Sequence, residues 1–177
     1  DGLDLVACSE LTRDLPHDRS NALAAAATAR AAGATLEGIR MALRTFRSLP
    51  HRVELVGEAG GVRWYDDSKA TAPHATVAAV SGFDHAVLVA GGRNKGLDLS
   101  ALRTLAPRLR AVVAIGEAAP DIAATFEGAV PTTVAISMDE AVAAAAGLAH
   151  RGDAVVLSPA CASFDWYGSY SERGDDF

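Results

Sequence analysis

The chain has 177 residues, a length that suits one domain or one domain with part of another. Half of its residues are hydrophobic and 21% are charged, which is typical of a globular protein and excludes a disordered one. The net charge of −6 argues against nonspecific nucleic-acid binding, and no apolar run reaches the roughly 18 residues that span a bilayer.

Cys8 and Cys161 lie far apart and lack the spacing of metal ligands. We expect both to be small, buried apolar residues of a protein in a reducing compartment. The first residues do not resemble a signal peptide. These features predict a cytoplasmic protein with no nucleic-acid partner and no membrane partner.

The first elements of the chain are predicted to be two helices. Residues 20–33, "SNALAAAATARAAG", are rich in alanine and end at Gly33, which suits the position just after a helix. A second helix is indicated by apolar residues at helical spacing, namely Leu36, Ile39, Leu43 and Phe46. Pro50 interrupts this pattern, and we place a domain boundary near residues 48–51.

Strands begin after this boundary. The segments "RVELV" (52–56) and "VRWYD" (62–66) flank Gly60 and Gly61, which predicts a β-hairpin. Helices and short apolar strands then alternate, with helices predicted at 73–82, 99–106 and 119–128, strands at 86–92, 111–116, 133–137 and 153–160, and a helix opened by a Ser137–Glu140 capping box. This alternation predicts an α/β fold, Rossmann-like, with a mostly parallel sheet and flanking helices.

Four polar clusters follow strands of the predicted sheet: "DDSKAT" (66–71), "GGRNKG" (91–96), "GEAA" (116–119) and "SPACASFDWY" (158–167). Ligands of open α/β sheets bind beyond the carboxyl ends of the strands. The sequence therefore predicts a ligand site at that edge of the sheet.

Several candidate residues also have a plainer interpretation. No G-x-x-x-x-G-K-[ST] phosphate loop exists in the chain, so Lys95 alone could be a solvated loop lysine. His17 and Asn21 could belong to a turn and helix cap, and Arg52 could be an ordinary surface residue.

Two other site types fit the sequence poorly. The pair Asp66–Asp67 would suit a phosphoacceptor receiver domain, but that fold needs an aspartate ending the next strand and a lysine–proline after the last one, and the chain has "LVAGG" and "VLSPA". His74 and His85 have no metal-ligand spacing with any acid, so we expect no metal site built within this chain.

Taken together, the clusters resemble the C-terminal part of the Mur ligases, and within them the branch that adds D-glutamate. The matching segments are His51–Arg52, 67–71, 91–96, 158–165 and 173–177. The chain departs from the family pattern at two positions, with Asp18 and Ala72 where the family usually has asparagine.

The resemblance implies a domain arrangement. Residues 1–48 would be the tail of a central ATP-binding domain, a short helical remnant of that ATPase domain, and residues 49–177 the C-terminal glutamate-binding domain. The uridine-binding domain and the phosphate loop would lie outside this chain, together with the Mg²⁺ ligands. We therefore expect a fragment that is monomeric and inactive alone.

The resemblance also implies the reaction. ATP and Mg²⁺ convert the alanine carboxylate of UDP-N-acetylmuramoyl-L-alanine into an acyl phosphate, and the amine of D-glutamate attacks it in this step of peptidoglycan synthesis. Residues expected to contact D-glutamate are Thr71, Lys95, Ser163, Phe164 and Tyr170. Residues expected to contact the nucleotide are His17, Asn21, Arg52, Asp67 and Lys69, of which Arg52 and Lys69 would be catalytic.

A non-catalytic α/β module that binds an acidic metabolite is the alternative. The composition of the chain alone fits such a module as well as it fits a ligase fragment. Arg52 and Lys69 discriminate between the two, because a module that only binds glutamate would not need them for phosphate contacts.

Overall fold

The structure, a computed structural model, describes residues 3–177. The chain divides into two units, the first ending at Leu49 and the second spanning Pro50–Phe177.

The first unit is a pair of helices preceded by a 3₁₀ turn at Cys8–Glu10. Helix α1 spans Pro16–Ala31, and helix α2 spans Leu36–Thr45. Gly33 has φ +92° just past the end of α1, a conformation that glycine adopts without a steric penalty. Thr35 caps α2 by accepting the Gly38 N–H at 3.1 Å. The predicted helical pair is confirmed.

Few side chains of this first unit are buried. Among residues 3–49 only Ala26 and Ile39 reach full burial, whereas Leu23, Met41 and Phe46 are more than half exposed. Cys8 is exposed, so the prediction of a buried apolar residue is wrong there, although it is confirmed for Cys161. Cys8 lies in the 3₁₀ turn, where few neighbouring side chains can cover it.

The second unit is built on a six-stranded sheet in the order β1-β2-β6-β3-β4-β5. The strands are β1 (Glu54–Ala59), β2 (Val62–Asp66), β3 (Ala86–Gly91), β4 (Leu109–Ile115), β5 (Thr132–Ala135) and β6 (Ala154–Ala160). Only the edge strand β1 is antiparallel to its neighbour, and the other pairs are parallel. The predicted α/β fold with a mostly parallel sheet is confirmed.

The hairpin between β1 and β2 turns at two glycines. Gly60 and Gly61 have φ of +62° and +79°, as the two central residues of a type I′ turn require. The register continues from Ala59 opposite Val62 to Glu54 opposite Asp66, with one irregularity near Gly57.

Helices of the second unit are α3 (Pro73–Val80), α4 (Ala119–Phe126), α5 (Met138–Leu148) and α6 (Tyr170–Asp176). The N-cap residue of α3 is Ala72, whose side chain cannot cap the helix, as the alanine in place of the family asparagine indicates. The capping box of α5 is shifted by one residue on one side, because Ser137 accepts the Glu140 N–H but Glu140 accepts the N–H of Ile136.

Two helical segments differ from the sequence prediction. The segment predicted as a helix at 99–106 is a 3₁₀ helix, Ser100–Arg108. It contains Pro107, which lacks the N–H of a regular α-helix and would clash with a carbonyl one turn earlier. Helix α6 was not predicted, because its sequence "YSERGDD" is polar and has no apolar periodicity.

The core lies on both faces of the sheet. On one face alternate residues such as Val87, Val113 and Val155 pack with Ala141 and Ala145 of α5. The intervening residues Leu88, Val112 and Val156 are equally buried, and α3 and α4 also contact the sheet.

Across residues 3–177, no helix is long and apolar enough to cross a membrane.

Candidate functional site

The loops that follow β2, β6, β3 and β4 meet at one edge of the sheet, because these four strands are neighbours and parallel. Backbone hydrogen bonds join the loops. Arg93 and Ala162 form an antiparallel bridge, Ala118 N–H donates to the Gly92 carbonyl, and Ala160 N–H donates to the Ala70 carbonyl. The polar clusters predicted to form a site therefore lie together.

Glycine is required where two of these loops cross. Gly92 has φ +120°, and an added Cβ there would lie against the Ala162 carbonyl. Gly116 has φ +68° and lies so close to Gly92 that a Cβ on it would be 2.8 Å from the Gly92 Cα. The glycines of "GGRNKG" thus allow close backbone packing between loops.

Both acids of the "DDSKAT" cluster are buried and hydrogen-bonded. Asp66 accepts from His51 Nδ1 at 2.6 Å and from the Ser68 N–H at 2.8 Å. Asp67 accepts from the Ser158 hydroxyl at 2.7 Å. These carboxylates hold the loop after β2 to its neighbours, while Lys69 is partly exposed and Thr71 is exposed.

The only two lysines of the chain, Lys69 and Lys95, both belong to this edge of the sheet. Lys69 Nζ lies 3.8 Å from the centre of the Tyr170 ring, and Lys95 Nζ lies 5.0 Å from the centre of the Phe164 ring. Neither forms an ion pair with any residue of 3–177. Aromatic faces attract ammonium groups without neutralising them, so both charges remain available to an anion.

Lys69 also affects the pKa of Tyr170. The hydrogen bond and charge of Lys69 lower the pKa of the Tyr170 phenol below its ordinary value, together with a hydrogen bond to Ser171. The structure thus brings together Lys69 with Tyr170 and Lys95 with Phe164, as two cation–ring pairs. Ser163 is buried in the loop after β6, two residues from the Cys161 carbonyl.

Arg52 lies in an unusual turn. His51 has φ +59° and Val53 has φ +49°, and the second value is rare for a β-branched residue. His51 is fixed by Asp66 and by its carbonyl, which accepts the Lys69 N–H at 3.1 Å. Arg52 is exposed between these two residues. Strained non-glycine turns cluster at functional sites, which fits the role expected for Arg52.

Arg173 was not assigned a role by sequence reasoning, although it belongs to the motif at 173–177. It is 1% exposed and is the largest fully buried side chain of the described residues. Its guanidinium donates to the Ser68 hydroxyl, the Ser68 carbonyl and the Cys161 carbonyl. Burial lowers the pKa of Arg173 to about 10, against the attraction of Asp165, Cys161 and Asp66.

Cys161 itself is not a reactive thiol. Burial raises the pKa of its thiol to about 11, with a smaller opposing effect of Arg173. At neutral pH the thiol is protonated and therefore a weak nucleophile.

The remaining predicted site residues lie in the first unit. His17 is partly buried near the start of α1, and Asn21 is exposed one turn later on the same helix face. Asp18, which replaces the family asparagine, pairs with Arg13 at 2.6 Å and accepts the Leu15 N–H at 3.2 Å. Burial raises the pKa of Asp18, but the hydrogen bonds and charge of Arg13 outweigh it and lower the pKa overall. Asp18 thus helps to cap the N-terminus of α1.

Within residues 3–177 no group of three or more His, Cys, Asp or Glu side chains is arranged to hold a metal ion.

A protein-family profile described as "Mur ligase, glutamate ligase domain" matches residues 51–161. The chain belongs to the Mur ligase family. The resemblance drawn from the sequence motifs is confirmed.

Relatives within the Mur ligase family cover almost the whole chain. It is 46% identical over 178 residues to the UDP-N-acetylmuramoylalanine--D-glutamate ligase of Methylococcus capsulatus, covering 99% of this chain and 39% of the relative. It is 49% identical over 177 residues to the ligase of the same name from Frankia casuarinae, covering 98% and 38%. The chain therefore spans about two fifths of the length of these relatives.

Solved structures support the same fold. The UDP-N-acetylmuramate-alanine ligase of Thermotoga maritima matches with a TM-score of 0.68 at 15% identity, covering 94% of this chain and 38% of that one. The bifunctional folylpolyglutamate synthase/dihydrofolate synthase of Yersinia pestis matches with a TM-score of 0.63 at 22% identity, covering 80% and 36%. At these identities the likeness shows the fold alone.

Proposed function

We propose that this chain supplies the D-glutamate-binding part of an ATP-dependent ligase that adds D-glutamate to UDP-N-acetylmuramoyl-L-alanine, and that the ligase works in the cytoplasm. The observation that carries the proposal is that Lys69 and Lys95 both lie at the carboxyl edge of a Mur ligase sheet, without carboxylate partners among residues 3–177. The names of the relatives supply the amino acid and the acceptor.

D-glutamate carries two carboxylates, and this edge of the sheet offers two ammonium groups. In the proposal Lys95 pairs with one carboxylate, and Lys69 lies between the amino acid and the nucleotide. The hydroxyls of Thr71 and Ser163 add hydrogen bonds, while Phe164 and Tyr170 line the pocket. Charge-assisted hydrogen bonds of this kind are shorter and stronger than neutral ones.

The proposed reaction has two steps. The alanine carboxylate of the acceptor attacks the γ-phosphate of ATP, which gives an acyl phosphate and ADP. The amine of D-glutamate then attacks the acyl carbon and expels phosphate, which gives the amide. Arg52 would lie against the transferred phosphate, where positive charge stabilises the negative charge that develops.

Other groups of the proposed ligase would come from outside the described residues. Residues 3–177 contain no group of His, Cys, Asp or Glu side chains that could hold Mg²⁺, so its ligands would lie outside these residues. We also propose that residues 1–48 belong with a central ATP-binding domain, and that His17, Asn21 and Asp67 contact the nucleotide. Asn21, exposed on the same face of α1 as the partly buried His17, supports this.

A non-catalytic module that binds an acidic metabolite would use the same two lysines. It would not use Arg52, which lies between two non-glycine residues of positive φ, His51 and Val53. This turn favours the ligase, because a binding module gains nothing from presenting an arginine in this way.

The two lysines make the proposal directly testable. Reductive methylation with ¹³C-formaldehyde keeps their charge and gives one resolved signal for each lysine, apart from the terminal amine. D-glutamate should shift both signals, and D-glutamine, which has one carboxylate fewer, should shift them less. The protein expressed from its whole reading frame should release phosphate from ATP only with both D-glutamate and the uridine substrate.

The 177-residue chain alone should release no phosphate, because its sequence lacks a phosphate loop. A whole protein that shows no D-glutamate-dependent phosphate release would overturn the proposed function. Phosphate release by the isolated chain would instead mean that its nucleotide site is complete.

A further inference from the structure

We propose that Arg173 is a positioning residue that fixes the loop after β2 and the loop after β6 relative to each other, and thereby fixes Lys69 on the Tyr170 ring. This inference rests on the proposed function for its catalytic consequence. Arg173 itself would not touch any substrate, because its guanidinium is buried and donates its hydrogen bonds to Ser68 and Cys161.

The contacts of Arg173 span both loops. Nε donates to the Ser68 hydroxyl at 2.9 Å, and Nη2 donates to the Ser68 carbonyl at 2.9 Å. Nη1 and Nη2 both donate to the Cys161 carbonyl at 3.2 Å. Ser68 lies directly before Lys69, and Cys161 lies two residues before Ser163, so one guanidinium holds the backbone beside two proposed substrate contacts.

A third loop closes around the same group. A Cβ added to Gly92, in the loop after β3, would lie 3.0 Å from Arg173 Nη1. This loop also carries Lys95, three residues later. A planar guanidinium with five donors can reach several loops at once, which a lysine ammonium cannot do with the same geometry.

The Ser68 hydroxyl extends the network back to α6. It accepts from Arg173 and donates to the Tyr170 carbonyl at 2.7 Å. The Tyr170 ring in turn lies 3.8 Å from Lys69 Nζ. A closed chain of contacts therefore runs from Arg173 through Ser68 and Tyr170 to Lys69.

The charge of Arg173 has no ion-pair partner among the described residues. Its hydrogen-bonded partners are a hydroxyl and two carbonyls, while Asp66 and Asp165 act on it only through longer-range attraction. Burying a cation in this way is costly, and apolar residues of similar volume often replace buried charges without loss of stability. Fold stability alone therefore does not explain an arginine at this position, whereas the positioning of two loops does.

The neighbouring residue shows how closely α6 is docked. A Cβ added to Gly174 would lie 2.5 Å from an Asp66 carboxylate oxygen and against His51 Nδ1. The Arg173 side chain and the Gly174 backbone thus dock the same turn of α6 onto the loop after β2. Tyr170 is positioned by the same docking, since it lies on the first turn of α6.

The test is a double-mutant cycle in the ligase expressed from its whole reading frame. Arg173→Lys should lower kcat about tenfold to a hundredfold, because small misplacements of catalytic groups have effects of that size. In a Lys69→Ala background the same substitution should change kcat less than about threefold, since the group that it positions is gone. Arg103→Lys, which alters an exposed guanidinium bonded to the Thr125 and Glu127 carbonyls, is the matched control and should leave kcat unchanged.

Equal losses of kcat in both backgrounds would overturn the proposal, because they would mean that Arg173 acts without Lys69. If Arg173→Lys does not fold, Ser68→Ala takes its place in the cycle. That variant removes only the hydroxyl link and leaves the Arg173 bonds to both carbonyls. It should lower kcat in the otherwise unsubstituted ligase and change kcat much less in the Lys69→Ala background. Equal losses of kcat in both backgrounds would again contradict the proposal.

A second measurement on the 177-residue chain separates this inference from the proposed function. Arg173→Lys should increase amide hydrogen exchange at Ala70 and Ala162, whose N–H groups donate to the Asp67 and Arg93 carbonyls, and leave Gly152 in a distant turn unchanged. A whole protein without ligase activity would contradict the proposed function but would not change this result. Unchanged exchange at Ala70 and Ala162 would contradict the positioning role of Arg173.

Discussion

At the scale of single residues, the candidate site shows cations held by aromatic rings. Lys69 and Lys95 lie over Tyr170 and Phe164, whereas the exposed Arg93 on the same loop as Lys95 is paired with Glu117 at 2.8 Å. The hydrogen bond from Arg93 lowers the pKa of the Glu117 carboxyl, so that pair is charged at neutral pH. One cation of this loop is therefore neutralised and the other is available.

This contrast gives a matched pair of substitutions. Lys95→Ala should raise the KM for D-glutamate about tenfold to a hundredfold, the loss expected for one charge-assisted hydrogen bond. Arg93→Ala removes the same charge two residues away and should change that KM less than about twofold. The KM for ATP should barely change in either variant. Lys69→Ala should raise the KM for both D-glutamate and ATP and lower kcat. Steady-state kinetics with each substrate varied in turn provides the measurement.

An unchanged D-glutamate KM in Lys95→Ala would assign Lys95 to the solvent and leave the pocket to Lys69 and Ser163. Equal effects of Lys95→Ala and Arg93→Ala would indicate a general effect of loop charge rather than a specific contact. Either result would leave the family membership untouched.

Residue-scale features differ in how far the sequence could predict them. Lys69 and Lys95 lie in glycine-rich or hydroxyl-rich clusters directly after strands, so their positions at the sheet edge followed from strand prediction. The burial of Arg173 could not be predicted, because it depends on tertiary contacts. Its partner Ser68 lies 105 residues earlier in the sequence, and its partner Cys161 lies 12 residues earlier. Nothing in the polar segment around Arg173 marks it as buried.

At the scale of elements, strands were the most predictable part. Continuous apolar runs such as 86–90 and 111–115 are typical of buried parallel strands, and both form strands in the structure. The insertion of β6 between β2 and β3 could not be read from local patterns, since strand order depends on long-range packing. This order brings the loops after β2 and β6 together, and with them the two halves of the Arg173 network.

One ion pair ties two of these elements together. Asp153, just before β6, is 3% exposed and accepts from Arg110 in β4 and from the His150 N–H at 2.7 Å. The hydrogen bond from Arg110, opposed by burial and assisted by the His150 N–H, lowers the pKa of Asp153. A lowered pKa in the folded state means that the carboxylate stabilises the fold above its unfolded pKa of about 3.9.

Asp153→Asn should therefore lower the free energy of unfolding at pH 7 by about 1–3 kcal/mol, the usual cost of losing a hydrogen bond to a charged group. The difference from the unsubstituted protein should shrink as the pH falls below about 4, because Asp153 then becomes protonated in both states. Urea unfolding between pH 2.5 and pH 7 measures this. Asp84→Asn, in an exposed pair with Arg108 at 3.5 Å, should stay within about 0.5 kcal/mol throughout. A difference for Asp153→Asn that does not depend on pH would contradict the ionic origin.

At the scale of the whole molecule, the two units differ in how much apolar surface they bury. The second unit contains strands such as β3 and β6 in which every residue is buried. The described part of the first unit buries only Ala26 and Ile39. Since local stability follows buried contacts, the two units should differ in the free energy needed to expose their amides.

Amide hydrogen exchange of the 177-residue chain should therefore be faster throughout α1 and α2 than in β3 and β6. The β-strand amides should exchange only through global unfolding and should respond to low urea, while those of α1 and α2 should exchange through local opening that urea hardly affects. Ile39→Ala, which removes one of the two buried side chains, should accelerate exchange across both helices. Met41→Ala on the same helix is the control, because Met41 is 62% exposed and should change exchange little. Exchange in α1 and α2 as slow as in β3 and β6 would contradict the prediction, and would mean that the helical pair is stabilised by more than its own two buried residues.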